Sequence, residues 1–148
     1  MSLNSLVSQV FDRYLKLWVY DASYGFIQVN EEILREGLSK MNEKEIEKAA
    51  RSHAMKIHVE MIRYMYGELT NETVVEYLDT FGQRFHTYKR FTKGSRHTVT
   101  IFHGVSLQFS KLYYSILAAI LASAGFKVVV SKEDVRETGF SIIFEPKS

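Results

Sequence analysis

Apolar residues return at three- and four-residue intervals from the start of the chain: Leu3, Leu6, Val7, Val10, Phe11, Tyr14, Leu15 and Trp18, with Gln9, Asp12, Arg13 and Lys16 between them. This spacing predicts an amphipathic helix over residues 3–18. Tyr24-Gly25-Phe26-Ile27-Gln28-Val29 reads as a short strand or an extended link. Asn30 follows as a helix N-cap, with Glu31 and Glu32 at the positive end of the dipole and Ile33, Leu34, Leu38 and Met41 on the apolar side. Asn42 stands three residues before Glu45, a capping-box start for a helix whose stripe is Ile46, Ala49, Ala50, His53, Ala54, Ile57 and Met61, stopped by Gly67. A further helix is predicted over residues 71–85, burying Val74, Val75, Leu78 and Phe81.

The period then changes. Residues 86–92 and 97–102 alternate like strands and are joined by Lys93-Gly94-Ser95-Arg96, a hairpin with glycine in its turn. Residues 105–124 form the next helix, with Phe109, Leu112, Tyr113, Ile116, Leu117 and Ile120 inward and Gly125 at its end. Residues 126–131 and 139–145 close the chain as strands. Helices followed by β-β-α-β-β define an α+β fold with a small, mostly antiparallel sheet covered by helices on one face. Residues 1–20 read as an N-terminal amphipathic segment, a candidate dimerisation helix, and residues 21–148 as one α+β domain. No repeat, low-complexity tract or linker interrupts the chain, and its one proline is Pro146.

Composition narrows the chemistry. The chain of 148 residues is 46% hydrophobic and 24% charged, a globular balance that excludes disorder and coiled-coil rods. It has no cysteine, which excludes disulfides, thiolate metal sites and a cysteine nucleophile. The apolar run 116–124 is far short of the ~20 residues a spanning helix needs, so it is expected in a buried helix. With no leader pattern at residues 1–11, the expected compartment is the cytoplasm, with no membrane partner.

Charge is segregated along the chain. Residues 80–132 contain no acid but carry Arg84, Lys89, Arg90, Lys93, Arg96, Lys111, Lys127 and Lys132. Arg84, Lys89, Arg90, Lys93 and Arg96, flanked by His86 and His97 and interleaved with Phe85, Tyr88 and Phe91, form a candidate anion- or nucleic-acid-binding hairpin. Two other readings fit the same residues. Lysines can guard a sheet edge against aggregation, and the bases can pair with the acidic helices or with a second copy.

Catalytic constellations are not found in the sequence. No glycine-rich phosphate loop, HExxH or nucleophile elbow occurs, so no enzyme and no cofactor are expected. His53 and His58, five residues apart, should point about 140° away from each other on an α-helix, and His53 reads as a core histidine on the apolar stripe. His97 and His103 would lie about 20 Å apart along one strand, too far for one metal. His103-Gly104-Val105-Ser106 offers amides to an anion at a strand-to-helix junction, or else simply reverses the chain with Ser106 as a cap.

The run Ser2-Leu3-Asn4-Ser5-Leu6-Val7-Ser8-Gln9-Val10-Phe11-Asp12-Arg13-Tyr14 resembles the second helix of archaeal ribbon-helix-helix transcriptional regulators. Residues 17–21, 25–29, Ile33-Leu34, Ile101-Phe102-His103-Gly104 and Phe140-Ser141-Ile142-Ile143-Phe144 resemble the accessory domain that follows it. The resemblance implies a homodimer with Leu3, Leu6, Val7, Val10, Phe11 and Tyr14 at the interface, and a regulatory domain that senses a small molecule. The family's DNA-reading ribbon would precede Ser2. The chain is then a segment of such a regulator, a relative lacking the ribbon, or a protein sharing only the amphipathic pattern. In the first two cases DNA is a partner only through that ribbon, and sequence-specific operator reading is not expected here. The other function the residues allow is a stand-alone nucleic-acid-binding protein using the basic hairpin 84–97.

Overall fold

The computed structural model describes residues 2–13, 15, 19–129 and 134–148. Tyr14, Trp18 and Lys132, and the predicted ends of the first helix and of strand 126–131, lie outside the described residues. Helix α1 spans Leu3–Arg13 and α2 spans Val19–Ser23. Residues 26–30 are an extended link rather than a strand. Among the described residues no strand pairs with this segment, and Phe26 instead turns into the helical layer against the rings of His53 and His58.

The asparagine caps work as expected. Asn30 accepts a hydrogen bond from the Glu32 amide and starts α3, Glu31–Ser39. Asn42 and Glu45 exchange hydrogen bonds, each side chain taking the other's backbone amide, and start α4, Glu43–His53. After α4 the helix widens into a π-helical turn, Ala54–His58, closed by the Val59 amide donating to the Ala54 carbonyl, before α5 runs from Val59–Tyr66. Gly67, at φ 84°, ends it.

Helix α6 spans Asn71–Phe81, shorter than predicted, and tightens into a 3₁₀ turn, Gly82–Arg84. The chain turns here because the Tyr88 ring packs directly on Gly82, where a Cβ would overlap it. The strands follow: β1 Thr87–Lys93, β2 Arg96–Phe102, β3 Phe126–Val129 and β4 Gly139–Pro146, with helix α7, Leu107–Ser123, between β2 and β3. Their order in the sheet is β1-β2-β4-β3, and every pairing is antiparallel. The fold is α+β, as the element order predicted.

Strand alternation sorts the sheet into two unlike faces. Val99, Ile101, Phe140, Ile142 and Phe144 are buried on the inner face against Ile116, Leu117, Ile120 and Leu121 of α7. The same core takes in Ala50, Ala54, Ile62, Val74, Leu78 and Phe81 from the other helices. The outer face has no helix over it among the described residues. The apolar segment 116–124 is the last part of α7 with its C-cap Ala124, and no described helix is long and apolar enough to cross a membrane.

Candidate functional site

A cleft of about 350 Å³ opens where the 26–30 link and α3, the α6–β1 turn and the start of α7 meet. Phe81, Phe85, Phe109 and Tyr113 make its apolar walls, with Phe85 and Phe109 set against Tyr113 at ring separations of 5.2 and 4.6 Å. Its polar groups are Glu31, Arg84, His86 and His103. Arg84 is the fixed cation. Its guanidinium lies 4.6 Å over the Phe81 ring and 5.8 Å from that of Phe26, and it pairs with Asp21 of α2. Aromatic faces hold a guanidinium by its charge, so the planar head of Arg84 stays oriented at the cleft.

His103 belongs to the turn more than to the cleft. Its Nδ1 accepts from the Val105 amide at 2.9 Å, which leaves the proton on Nε2, 2.7 Å from Ser110 Oγ. Ser110 in turn donates to the Arg136 carbonyl. Burial pushes the His103 pKa down to about 4, so the ring is neutral with both nitrogens engaged. Ser106 caps α7, accepting from the Phe109 amide at 3.2 Å. The 103–106 segment is thus built as a chain reversal held by its own histidine, and the Val105 amide is already occupied by that ring and not free for an anion.

The spacing argument for the other histidine pair fails. His53 and His58 ring centroids lie 4.9 Å apart, because one i→i+5 turn stacks residues five apart that an ordinary α-helix would separate. His53 is half-buried, and the fully buried member is His58. Nδ1 of His58 meets the Tyr77 hydroxyl at 2.6 Å, and Phe81 stands edge-on at 4.9 Å. Burial first, then the nearby His53 and Arg84, push the His58 pKa down to about 3. The sequence shows His53 and His58 but not the widened turn, and nothing in it points to Tyr77 as a partner.

The five basic residues grouped by sequence, and His97 beside them, do not form one surface. Arg84 faces the cleft. Arg90 points to the inner side and makes a two-pronged pair with Asp79 of α6, at 2.8 and 2.7 Å, while Tyr88 donates to the same carboxylate. Burial alone would raise the Asp79 pKa, but the hydrogen bonds from Arg90 and Tyr88 outweigh it and hold the carboxyl below its usual range. His97 is also on the inner side, stacked on Phe144 at 5.0 Å. Arg96 pairs with Glu145 across the outer face at 3.0 Å. Lys89 and Lys93 are exposed on that outer face and make no ion pair among the described residues.

Five of the six dimerisation candidates are in water, and the sixth, Tyr14, lies outside the described residues. Leu3, Leu6, Val7, Val10 and Phe11 are between 43% and 74% exposed. Among the described residues no three histidine, aspartate or glutamate side chains converge as metal ligands. Comparison with protein-family models, with curated proteins and with solved structures finds no match.

Proposed function

We propose that this chain is a non-enzymatic sensing and oligomerisation domain associated with a transcriptional regulator, working in the cytoplasm as a homodimer paired through α1. The observation that carries this reading is the bare apolar stripe of α1. Five large apolar side chains at helical spacing are left in water, although a helix of 11 residues is marginal without a covering surface. The surface that fits such a stripe best is its own copy related by a twofold axis. The likeness of this helix to one that packs across the dimer in ribbon-helix-helix regulators supports the same partner. In those regulators DNA is read by a ribbon N-terminal to the helix, so operator contact is assigned to that element and not to the domain described here.

The aromatic cleft supports the sensing half. Four aromatic walls and one oriented guanidinium suit a planar, largely apolar molecule carrying a single negative charge. Such an anion would compete with Asp21 for Arg84. Asp21 lies on α2, eight positions after Arg13 at the end of α1, so occupancy of the cleft acts on a residue close in sequence to the pairing helix.

Static light scattering tests the reading. The wild type is expected to run as a dimer at micromolar concentration, and Leu6→Glu with Val10→Glu is expected to give a monomer with the core still folded. A wild type that is monomeric at the highest soluble concentration would sink it.

A further inference from the structure

We infer that the open outer face of the sheet is a platform for single-stranded nucleic acid. The register sets its side chains in rows. Lys93, Arg96, Glu145 and Lys127 stand side by side in the first, and Phe91, Thr98, Ile143 and Val129 in the second. Lys89, Thr100 and Ser141 make the third, and Thr87, Phe102 and Gly139 the fourth.

Two features single out this face. The first is which cations are free. Three arginines of the basic stretch are held by Asp21, Asp79 and Glu145, whereas Lys89, Lys93 and Lys127 pair with no acid among the described residues, and all three stand on the outer face. Charge complementarity therefore points to a polyanion here and not along the whole hairpin. The second is the placement of aromatic rings. Phe91 and Phe102 are 69% and 48% exposed, though phenylalanine gains most from burial. Two rows and one strand separate them, about 14 Å, with Lys89 in the row between. That span takes two or three unstacked nucleotides, one base on each ring and a phosphate near Lys89.

Beside Phe102 a shallow cavity of about 210 Å³ is lined by Thr100, Ser141, Thr138, Asp134 and Arg136, which gives the base stacked there both donors and acceptors at its edge. Unpaired bases are required, because a duplex keeps its base faces stacked inside and offers nothing to an exposed ring. This inference is independent of pairing through α1, which uses the other end of the chain.

Fluorescence anisotropy with labelled twelve-nucleotide oligo-dT and oligo-U, beside a duplex of the same length, tests it. Both single strands should bind at low salt, with a log–log salt slope of about −2 for three lysine contacts at roughly −0.7 each. Phe91→Ser and Phe102→Ser, at exposed sites that leave the core untouched, should each weaken binding on the order of 5- to 150-fold. Changing Lys89, Lys93 and Lys127 to glutamine should bring the slope towards zero. Three results would overturn the inference: no binding at 50 mM salt, duplex bound as tightly as single strand, or affinity unchanged in the double phenylalanine variant. The same holds if the lysine variant aggregates while the wild type binds no oligonucleotide, since the lysines are then guarding the sheet edge. A phenylalanine variant that changes only the oligomeric state would mark the face as a contact between copies.

Discussion

Replacing His58 with glutamine isolates a buried titration from the rest of the fold. In the folded chain His58 is neutral, with its pKa down at about 3, against 6.5 when unfolded. Because the folded pKa is lowered, the unfolded chain binds the extra proton. The stability is therefore complete above pH 6.5 and declines as the pH falls towards 3. At pH 4.5 the two states differ through His58 by roughly 3 kcal/mol. His103, lowered to about 4, adds a similar amount, so the wild type should lose roughly 5 kcal/mol between pH 7.5 and 4.5 from these two rings. His58→Gln keeps a hydrogen-bonding group near Tyr77 but cannot titrate. At pH 7.5 it should be the less stable protein by about 1–2 kcal/mol, having lost the ring packed on Phe81 and Phe26. Its loss on acidification should be about half that of the wild type, so the two stability curves cross near pH 5.5. Urea unfolding at one-unit pH steps measures both curves. Parallel curves for wild type and variant would refute the claim that a buried neutral His58 drives the acid sensitivity.

Two further substitutions probe the α6–β1 corner. Asp79→Ala strands the Arg90 fork and the Tyr88 hydroxyl together, and should cost about 1–2 kcal/mol in urea midpoints, discounted for the partial exposure of the carboxylate. Tyr88→Phe in that background should cost little more, since the hydroxyl has already lost its acceptor. Gly82→Ala places a methyl group into the Tyr88 ring and should lower stability by about 1–3 kcal/mol, with a matching fall in the melting temperature. Gly94→Ala, in the open hairpin turn, should cost less and act only through its φ of 62°.

Local signals were legible in the sequence and long-range ones were not. Asn30 and Asn42 mark helix starts because a cap is written within four residues, and the β-β-α-β-β order follows from changes of period that need no tertiary knowledge. The widened turn at 54–58 leaves no such mark, so the reasoning from α-helical geometry separated two histidines that touch. Alternation alone puts Lys89, Phe91 and Lys93 on one side of β1 and Tyr88 and Arg90 on the other. What alternation cannot supply is the partner strands that line Phe102 and Lys127 up beside them. Arg84 and Asp21 are 63 positions apart and Arg90 and Asp79 are 11, so the grouping of Arg84, Arg90 and Arg96 with free lysines dissolved only when their acids were located. The cleft shares that origin, since its walls come from α6, the turn after it, and α7.

The pairing of two copies through α1 is open to a direct distance measurement, because the chain has no cysteine and a single introduced one is a unique label site. A nitroxide on Ser8→Cys, on the polar side of α1, should report a second label within about 40 Å by pulsed dipolar spectroscopy, since packed helices run only about 8–10 Å apart. Dilution with unlabelled protein should remove the signal in proportion, while Leu6→Glu with Val10→Glu should abolish it. An undiluted Ser8→Cys sample with no intermolecular dipolar signal would contradict the account.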